Sequence, residues 1–215
     1  MPVRKGRLLV EGKDDKHVVW GLCESYGVPQ TFDVKDAEGL DPLLDLISVQ
    51  LRGSGIERVG VVADADSEVA SRWASIERIL RTHGYEDVPS APVAEGTIVL
   101  QSGKPVVGVW LMPDNTTAGM LEDFVAALIP ARDPLLSRAA DAVDNIPVEE
   151  RRFSPAHRSK ALIHTWLSWQ EEPGSPMGQA IGKRDLDAEA PHAQRFMRWL
   201  TRLMVDAPPA APDLG

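Results

Sequence analysis

Two short apolar segments of the chain end abruptly in acidic residues, and this pattern constrains the fold more than any other feature. Residues 7–12 read Arg-Leu-Leu-Val-Glu-Gly, and residues 59–66 read Val-Gly-Val-Val-Ala-Asp-Ala-Asp. A continuous run of Leu and Val bounded by Gly is typical of a parallel strand that is buried on both faces. Because a segment with helical periodicity follows each run, both are predicted to be strands of an α/β sheet.

The acidic residues lie at the carboxyl ends of these two predicted strands. Open α/β sheets bind ligands in the crevice outside those ends, so Glu11, Asp64 and Asp66 are expected in one crevice. Carboxylates that converge there repel one another unless a cation lies among them. Mg²⁺ and Mn²⁺ prefer oxygen ligands, and two such ions roughly 4 Å apart can clamp an in-line displacement at phosphorus. The pattern therefore predicts a metal site for phosphate chemistry.

Each acidic motif also has an ordinary structural interpretation. Glu11 could be an exposed acid at the end of a strand. Asp64 and Asp66 could cap the helix that follows them, because Asp is favoured at helix N-caps. Either explanation suffices for one motif alone, but the occurrence of both at corresponding strand ends favours a shared site.

The pattern of hydrophobic residues changes after the first 84 residues. Up to that point strands and amphipathic helices alternate as βαβαβα, which right-handed crossovers convert into a parallel sheet. Residues 97–100 and 106–112 are then predicted to form a hairpin, because Gly103 lies in their short connection. Three amphipathic stretches predict later helices at residues 135–143, 159–169 and 191–204.

The fold class expected from these patterns is α/β, with a mostly parallel sheet flanked by helices and a helical C-terminal part. Residues 1–130 are expected to form the α/β domain, and residues 131–206 a helical extension packed on it. Residues 207–215 contain three prolines and are expected to be a flexible tail.

Charge and cysteine content limit the possible functions. The formal net charge is −9 at pH 7, which disfavours a protein that binds nucleic acid mainly by neutralising phosphates. A metal ion and a local basic patch could still bind nucleic acid at one site. The single cysteine, Cys23, cannot build a disulfide framework or a Cys-based zinc site, so a cytoplasmic location is expected. The apolar stretches are too short for a signal peptide or a membrane span, so no membrane association is expected.

The two acidic motifs resemble those of the Toprim domain. Glu11 followed by glycine at one strand end, and Asp64-Ala65-Asp66 at another, are similar to the pattern in topoisomerases, bacterial primases and the overcoming-lysogenization-defect (OLD) nucleases. This resemblance covers residues 7 to about 80. Residues 108–124 and 159–167 are similar to stand-alone Toprim proteins of uncharacterised function. The resemblance implies a Toprim-like, Rossmann-like sheet for the α/β domain.

The resemblance also implies a set of metal ligands. Glu11 would bind metal or act as the general acid and base, and Asp64 and Asp66 would hold Mg²⁺ (or Mn²⁺). In the OLD nucleases an acid one helical turn past the first Glu also binds metal, and Asp15 matches that position.

Further residues match a second metal and a substrate site. Glu122 or Asp123 could serve the second metal, with Glu122 preferred, and Lys160 is the candidate for the lysine near the scissile phosphate. Lys13 and Arg158 are candidates for substrate binding, and ordinary solvated surface is the alternative interpretation of both.

The function expected from the sequence is nuclease-like, Mg²⁺-dependent phosphodiester chemistry on nucleic acid. The chain has no Walker A motif, so the ATPase half of the OLD proteins is missing and a separate ATPase chain is a possible partner. Two alternatives stay open. One is a non-catalytic module that binds nucleic acid or a partner ATPase and holds a structural Mg²⁺. The other is a hydrolase of a small phosphorylated molecule.

Overall fold

The structure is a computed structural model and describes residues 5–206. Within that range strands and helices alternate up to the third helix, and helices dominate after the fifth strand. A short 3-10 helix (Pro155–His157) leads into the sixth helix. In chain order the elements are β1 (Gly6–Val10), α1 (Lys13–Ser25), β2 (Phe32–Asp36), α2 (Leu40–Arg52), β3 (Arg58–Asp64), α3 (Val69–Thr82), β4 (Thr97–Val99), β5 (Val106–Met112), α4 (Leu121–Ala126), α5 (Pro134–Asp144), α6 (Arg158–Leu167), α7 (Met177–Gly182) and α8 (Pro191–Met204).

The five strands form one sheet in the order β2-β1-β3-β5-β4. β1 pairs with β2 and β3 in parallel, β3 pairs with β5 in parallel, and only β4 runs antiparallel, next to β5. The chain adds β2 on one side of β1 and β3 on the other, which creates a topological switch point between β1 and β3. The predicted fold class is confirmed: a mostly parallel sheet is flanked by helices and followed by a helical C-terminal part.

Both faces of the central strands are buried, which explains their unbroken apolar sequence. Leu8 and Val10 of β1 belong to the hydrophobic core on one face, and Leu9 belongs to the core on the other. This division follows from the alternation of side chains along a strand. Helices α2 and α3 cover the Leu9 side, while α1, α4 and α6 to α8 cover the opposite side.

Helix α8 fills the centre of the larger core with aromatic side chains. The rings of Phe196 and Trp199 lie 5.4 and 5.7 Å from the ring of Trp110 on β5. The indole N–H of Trp199 also donates to the backbone carbonyl of Thr97 at 3.1 Å. The C-terminal helices and the sheet therefore share one core in this structure, and the domain boundary at residue 130 stays a prediction. The predicted tail, residues 207–215, lies outside the described residues.

Helix α7 was not expected from the sequence. Its six residues contain two glycines and too few turns to show an amphipathic period. Gly178 lies so close to α1 that a Cβ atom there would meet the carbonyl oxygen of His17 at 2.2 Å. The close packing of α7 against α1 therefore depends on glycine at position 178. None of the helices within residues 5–206 is long and apolar enough to cross a lipid bilayer.

Candidate metal centre

Four carboxylates from four elements meet at the carboxyl end of the sheet. Glu11 follows β1, Asp64 ends β3, and Asp15 and Glu122 lie in the first turns of α1 and α4. All four line an open cleft of about 880 Å³. The parallel strands bring these residues together because their carboxyl ends share one edge of the sheet, at the switch point.

Hydrogen bonds to two of these carboxylates connect three elements. The backbone N–H of Asp64 donates to Oε2 of Glu11 at 3.2 Å, and the backbone N–H of Leu121 donates to Oδ1 of Asp64 at 2.8 Å. The second oxygen of each carboxylate accepts no hydrogen bond from the described residues. Helix α3 begins at Val69 after an N-cap at Glu68, so neither aspartate of the Asp64-Ala65-Asp66 turn caps it.

Asp15 carries a buried oxygen that has no partner within residues 5–206. Its side chain is only 6% exposed. Oδ2 accepts a hydrogen bond from the backbone N–H of Gly12 at 3.0 Å, which caps α1. Oδ1 is buried and accepts no hydrogen bond from any described residue. An unsatisfied buried polar atom is costly, and in a cluster of acids it fits a ligand for a cation.

The acids raise one another's affinity for protons. Burial, together with the negative charges of Asp15, Glu11 and Glu122, raises the pKa of Asp64 to about 8. Burial, followed by the charges of Glu11 and Glu122, raises the pKa of Asp15 to about 7. Burial also raises the pKa of Glu11, although the hydrogen bond from Asp64 and the charge of Arg72 oppose that shift. Without a cation, the cluster therefore retains protons near neutral pH.

The chemistry of this cluster fits Mg²⁺ or Mn²⁺. All four groups supply carboxylate oxygens, which these ions prefer, and Mg²⁺ commonly uses only one or two carboxylates and keeps several waters. In the described part of the chain, no three acidic, histidine or cysteine side chains are close enough to form a complete metal-binding group as they stand. An ion would have to draw the carboxylates inward or bind through water.

Asp66 also lines the cleft, but its carboxylate has a protein partner. It forms an ion pair with the guanidinium of Arg72, which is 8% exposed. Sequence reasoning missed Arg72. A signal was present, because Arg72 falls three residues after Val69 and four before Ile76, on the inward face of α3. A charged residue at such a position indicates a buried partner.

The structure distinguishes between the two acids of α4. Glu122 is 4% exposed, lines the cleft, and has Oε1 3.3 Å from Nζ of Lys160. Asp123 instead caps α4 by accepting the N–H of Met120 at 2.9 Å, and it accepts a hydrogen bond from the hydroxyl of Ser159. Of the two alternatives, Glu122 is therefore the one placed in the acidic cluster.

The candidate substrate-binding residues are placed differently. Lys13 and Lys160 line the cleft. Arg158 is absent from its lining and binds both oxygens of Asp144 at 2.7 and 2.6 Å. His157 also lies in the cleft lining, and sequence reasoning missed it. Its spacing of three residues before Lys160, one helical turn, was the available signal.

One protein family matches the chain over nearly its whole length. The profile of one family, described as "Protein of unknown function (DUF3226)", matches residues 5–205. No curated protein matches the chain.

Two solved structures share limited similarity with the chain. The C-terminal region of the Burkholderia pseudomallei OLD protein is 14% identical, over 92% of this chain and 97% of that one, with a TM-score of 0.49. The C-terminal region of the Xanthomonas campestris pv. campestris OLD protein is also 14% identical, over 92% of this chain and 87% of that one, with a TM-score of 0.41. These values are too low to establish a shared activity.

Proposed function

The chain belongs to the DUF3226 family, and we propose that it performs Mg²⁺-dependent phosphodiester chemistry on nucleic acid as a nuclease-like enzyme of Toprim type. The observation that carries the proposal is the buried Oδ1 of Asp15, which has no partner in the described part of the chain and lies within a cluster of four carboxylates. All four residues of the cluster are among those that the Toprim resemblance selects. A cytoplasmic location and possible cooperation with a separate ATPase chain belong to the same proposal.

Glu11, Asp15, Asp64 and Glu122 would hold the metal, since they combine the right ligand type with a place at the switch point. When bound, Mg²⁺ polarises a phosphoryl oxygen and lowers the pKa of a bound water.

The role of Lys160 follows from its place at the cleft. Its ammonium lies 3.3 Å from Glu122 and its side chain is 51% exposed, so it can move from the carboxylate to a phosphate. There it would stabilise the negative charge that develops during phosphoryl transfer. Lys13, which lines the same cleft, would contact a neighbouring phosphate.

A second candidate function is hydrolysis of a small phosphorylated molecule, and the state of the basic residues favours it. A protein that follows a nucleic-acid strand needs basic side chains that are available to its phosphates. Arg158, which was expected to bind substrate, is instead paired with Asp144 and does not line the cleft. Lys16 and Lys183 are also paired with acids, Asp36 and Glu172. A compact substrate would need only the lysines in the cleft.

One assay separates these functions. Purified protein is incubated with supercoiled plasmid, a short RNA and a set of nucleotides, with Mg²⁺ or Mn²⁺ and with EDTA. Asp64→Ala removes a cleft carboxylate, and Asp45→Ala removes an exposed acid from α2 as a matched control.

Nicking or RNA cleavage that needs metal and is lost only in Asp64→Ala supports the nuclease. Metal-dependent phosphate release from nucleotides alone supports the second candidate. Binding without turnover that survives the Asp64→Ala change supports a non-catalytic module and contradicts both enzymatic functions.

A further inference from the structure

Arg72 is a buried cation that contacts the acidic turn at the end of β3, residues 64–66. Its Nε donates to the backbone carbonyl of Asp64 at 2.7 Å, and its guanidinium pairs with the carboxylate of Asp66. The side chain is only 8% exposed. Because a guanidinium stays charged in proteins, a buried one requires both a counter-ion and hydrogen-bond acceptors. The turn supplies Arg72 with both.

The backbone of Asp66 is fixed independently of its side chain. Asp66 has a φ of +52°, which is uncommon for a residue other than glycine. Its N–H donates to the carbonyl of Gly119 at 2.8 Å, and its carbonyl accepts the N–H of Gly119 at 2.8 Å. This isolated bridge holds the turn against the segment before α4. The side chain of Asp66 therefore leaves a fixed backbone position, and in this structure it is directed to Arg72.

We propose that Arg72 is a positioning residue that retains Asp66 as its counter-ion, keeps it out of the metal ligand set, and fixes the peptide that carries Asp64. The metal half of this inference rests on the proposed function. The Toprim resemblance implies that both aspartates of the turn hold Mg²⁺; in this chain only Asp64 does so.

Two physical arguments support Asp64 as the metal ligand and Asp66 as the counter-ion of Arg72. If Asp66 turned to a metal, Arg72 would keep a buried charge without a counter-ion, which is strongly unfavourable. Asp64 has no such obligation, because one of its oxygens accepts the N–H of Leu121 and the other has no partner among the described residues. The positive charge of Arg72 also acts on Glu11 and reduces the repulsion within the cluster.

The experiment combines metal binding with a double-mutant cycle. Mn²⁺ binding is measured by the loss of the free-ion EPR signal for the wild-type protein and for Asp64→Asn, Asp66→Asn and Arg72→Gln. The Tm of each protein, and of the Asp66→Asn/Arg72→Gln double variant, is measured in EDTA. The Tm cycle needs no metal and is therefore independent of the proposed function.

Asp64→Asn is expected to abolish Mn²⁺ binding. Asp66→Asn is expected to change the Kd for Mn²⁺ by less than about tenfold, because Asp66 acts only through Arg72 and loss of a residue that directly supports a metal ligand costs about tenfold or more. Arg72→Gln is expected to weaken Mn²⁺ binding by about 10- to 100-fold, because the Asp64 carbonyl loses its donor. Asp66→Asn and Arg72→Gln each lower the Tm, and the double variant loses at least ~2 °C less than the sum.

Loss of Mn²⁺ binding in Asp66→Asn equal to that in Asp64→Asn would overturn the inference while leaving the proposed function intact. Strictly additive Tm losses would overturn it as well, since they would mean that Arg72 and Asp66 do not depend on each other. If the wild-type protein binds no Mn²⁺, the proposed function and the metal half of the inference fail together. In that case the cycle still tests the pairing of Arg72 with Asp66.

Discussion

Oε2 of Glu11 accepts a hydrogen bond from the backbone N–H of Asp64 at 3.2 Å, so the acids that end β1 and β3 lie against each other. This contact joins residues 53 positions apart in the chain. It exists because β1 and β3 are parallel neighbours in register, with Val10 opposite Val62. The consequences of this contact for charge, metal binding and stability can be measured.

The stability of the metal-free protein should fall as the pH rises. The folded protein raises the pKa of Asp15 to about 7 and of Asp64 to about 8, from the ordinary value of 3.8. Above pH 3.8 the unfolded chain has lost these protons while the folded one keeps them, so the unfolded state binds fewer protons. The stabilisation that these retained protons provide is complete below pH 3.8. It is lost as the pH rises through the folded-state pKa values of about 7 and about 8. Thermal unfolding in EDTA at a series of pH values measures this slope.

The control for that series is Asp64→Asn, which keeps an oxygen for the N–H of Leu121 but removes the charge. Its Tm should exceed that of the wild-type protein at pH 8 and should depend less on pH. An equal Tm loss at every pH would contradict the prediction, because it would mean that the carboxylate stabilises the fold instead of straining it.

Metal binding should release protons and reverse this instability. The ligands must be deprotonated to bind a cation, so Mg²⁺ competes with the protons on Asp15 and Asp64. Addition of Mg²⁺ should raise the Tm more at pH 8 than at pH 6, because fewer protons must then be displaced. Calorimetry in buffers with different ionisation enthalpies measures the released protons. A Tm gain that is larger at pH 6 would argue against the carboxylate cluster as the site.

Lys160→Met should affect activity much more than stability. The ion pair with Glu122 has a lysine that is 51% exposed, and pairs of this kind contribute only about 0–1 kcal/mol. Loss of a donor that stabilises the transition state costs about 10²- to 10³-fold in kcat. Rates on the substrate identified by the cleavage assay, together with the Tm, test this expectation.

Lys183→Met is the matched control for Lys160, because Lys183 pairs with Glu172 outside the cleft. It should leave kcat unchanged. Equal losses of kcat in the two variants would remove Lys160 from the proposed site.

Gly178→Ala should destabilise the protein by separating α7 from α1. The new Cβ would lie 2.2 Å from the carbonyl oxygen of His17, and backbone atoms cannot move aside as a flexible side chain can. Overpacking of this kind typically costs about 1–3 kcal/mol. Chemical denaturation measures the change in the free energy of unfolding.

Gly182 provides the control within the same helix, because a Cβ there would meet no atom within 4 Å. Gly182→Ala should be neutral or stabilising by up to about 1 kcal/mol, since alanine restricts the unfolded chain. Similar losses in both glycine variants would show that backbone freedom, and not the contact with α1, explains the effect.

The sequence was sufficient for the parts of the fold that follow from local patterns. The apolar runs before Glu11 and Asp64 predicted buried parallel strands, and amphipathic periodicity located α8 at residues 191–204. The ends of those strands placed Glu11 and Asp64 at one edge of the sheet. Each of these inferences depends on the order of residues along one segment and on a general rule of sheet geometry.

Tertiary structure decided which partner each acid has. Asp64 and Asp66 look equivalent in the sequence, yet the position of Arg72 on α3 gives Asp66 a counter-ion and leaves Asp64 beside Glu11. Glu122 and Asp123 are adjacent, and only the docking of α4 turns one to the cleft and the other to Ser159. Burial, charge pairing and helix docking depend on residues far apart in the chain, so no local pattern contains them. The sequence by itself determined where the acids gather, and only the packed structure assigned each one a partner.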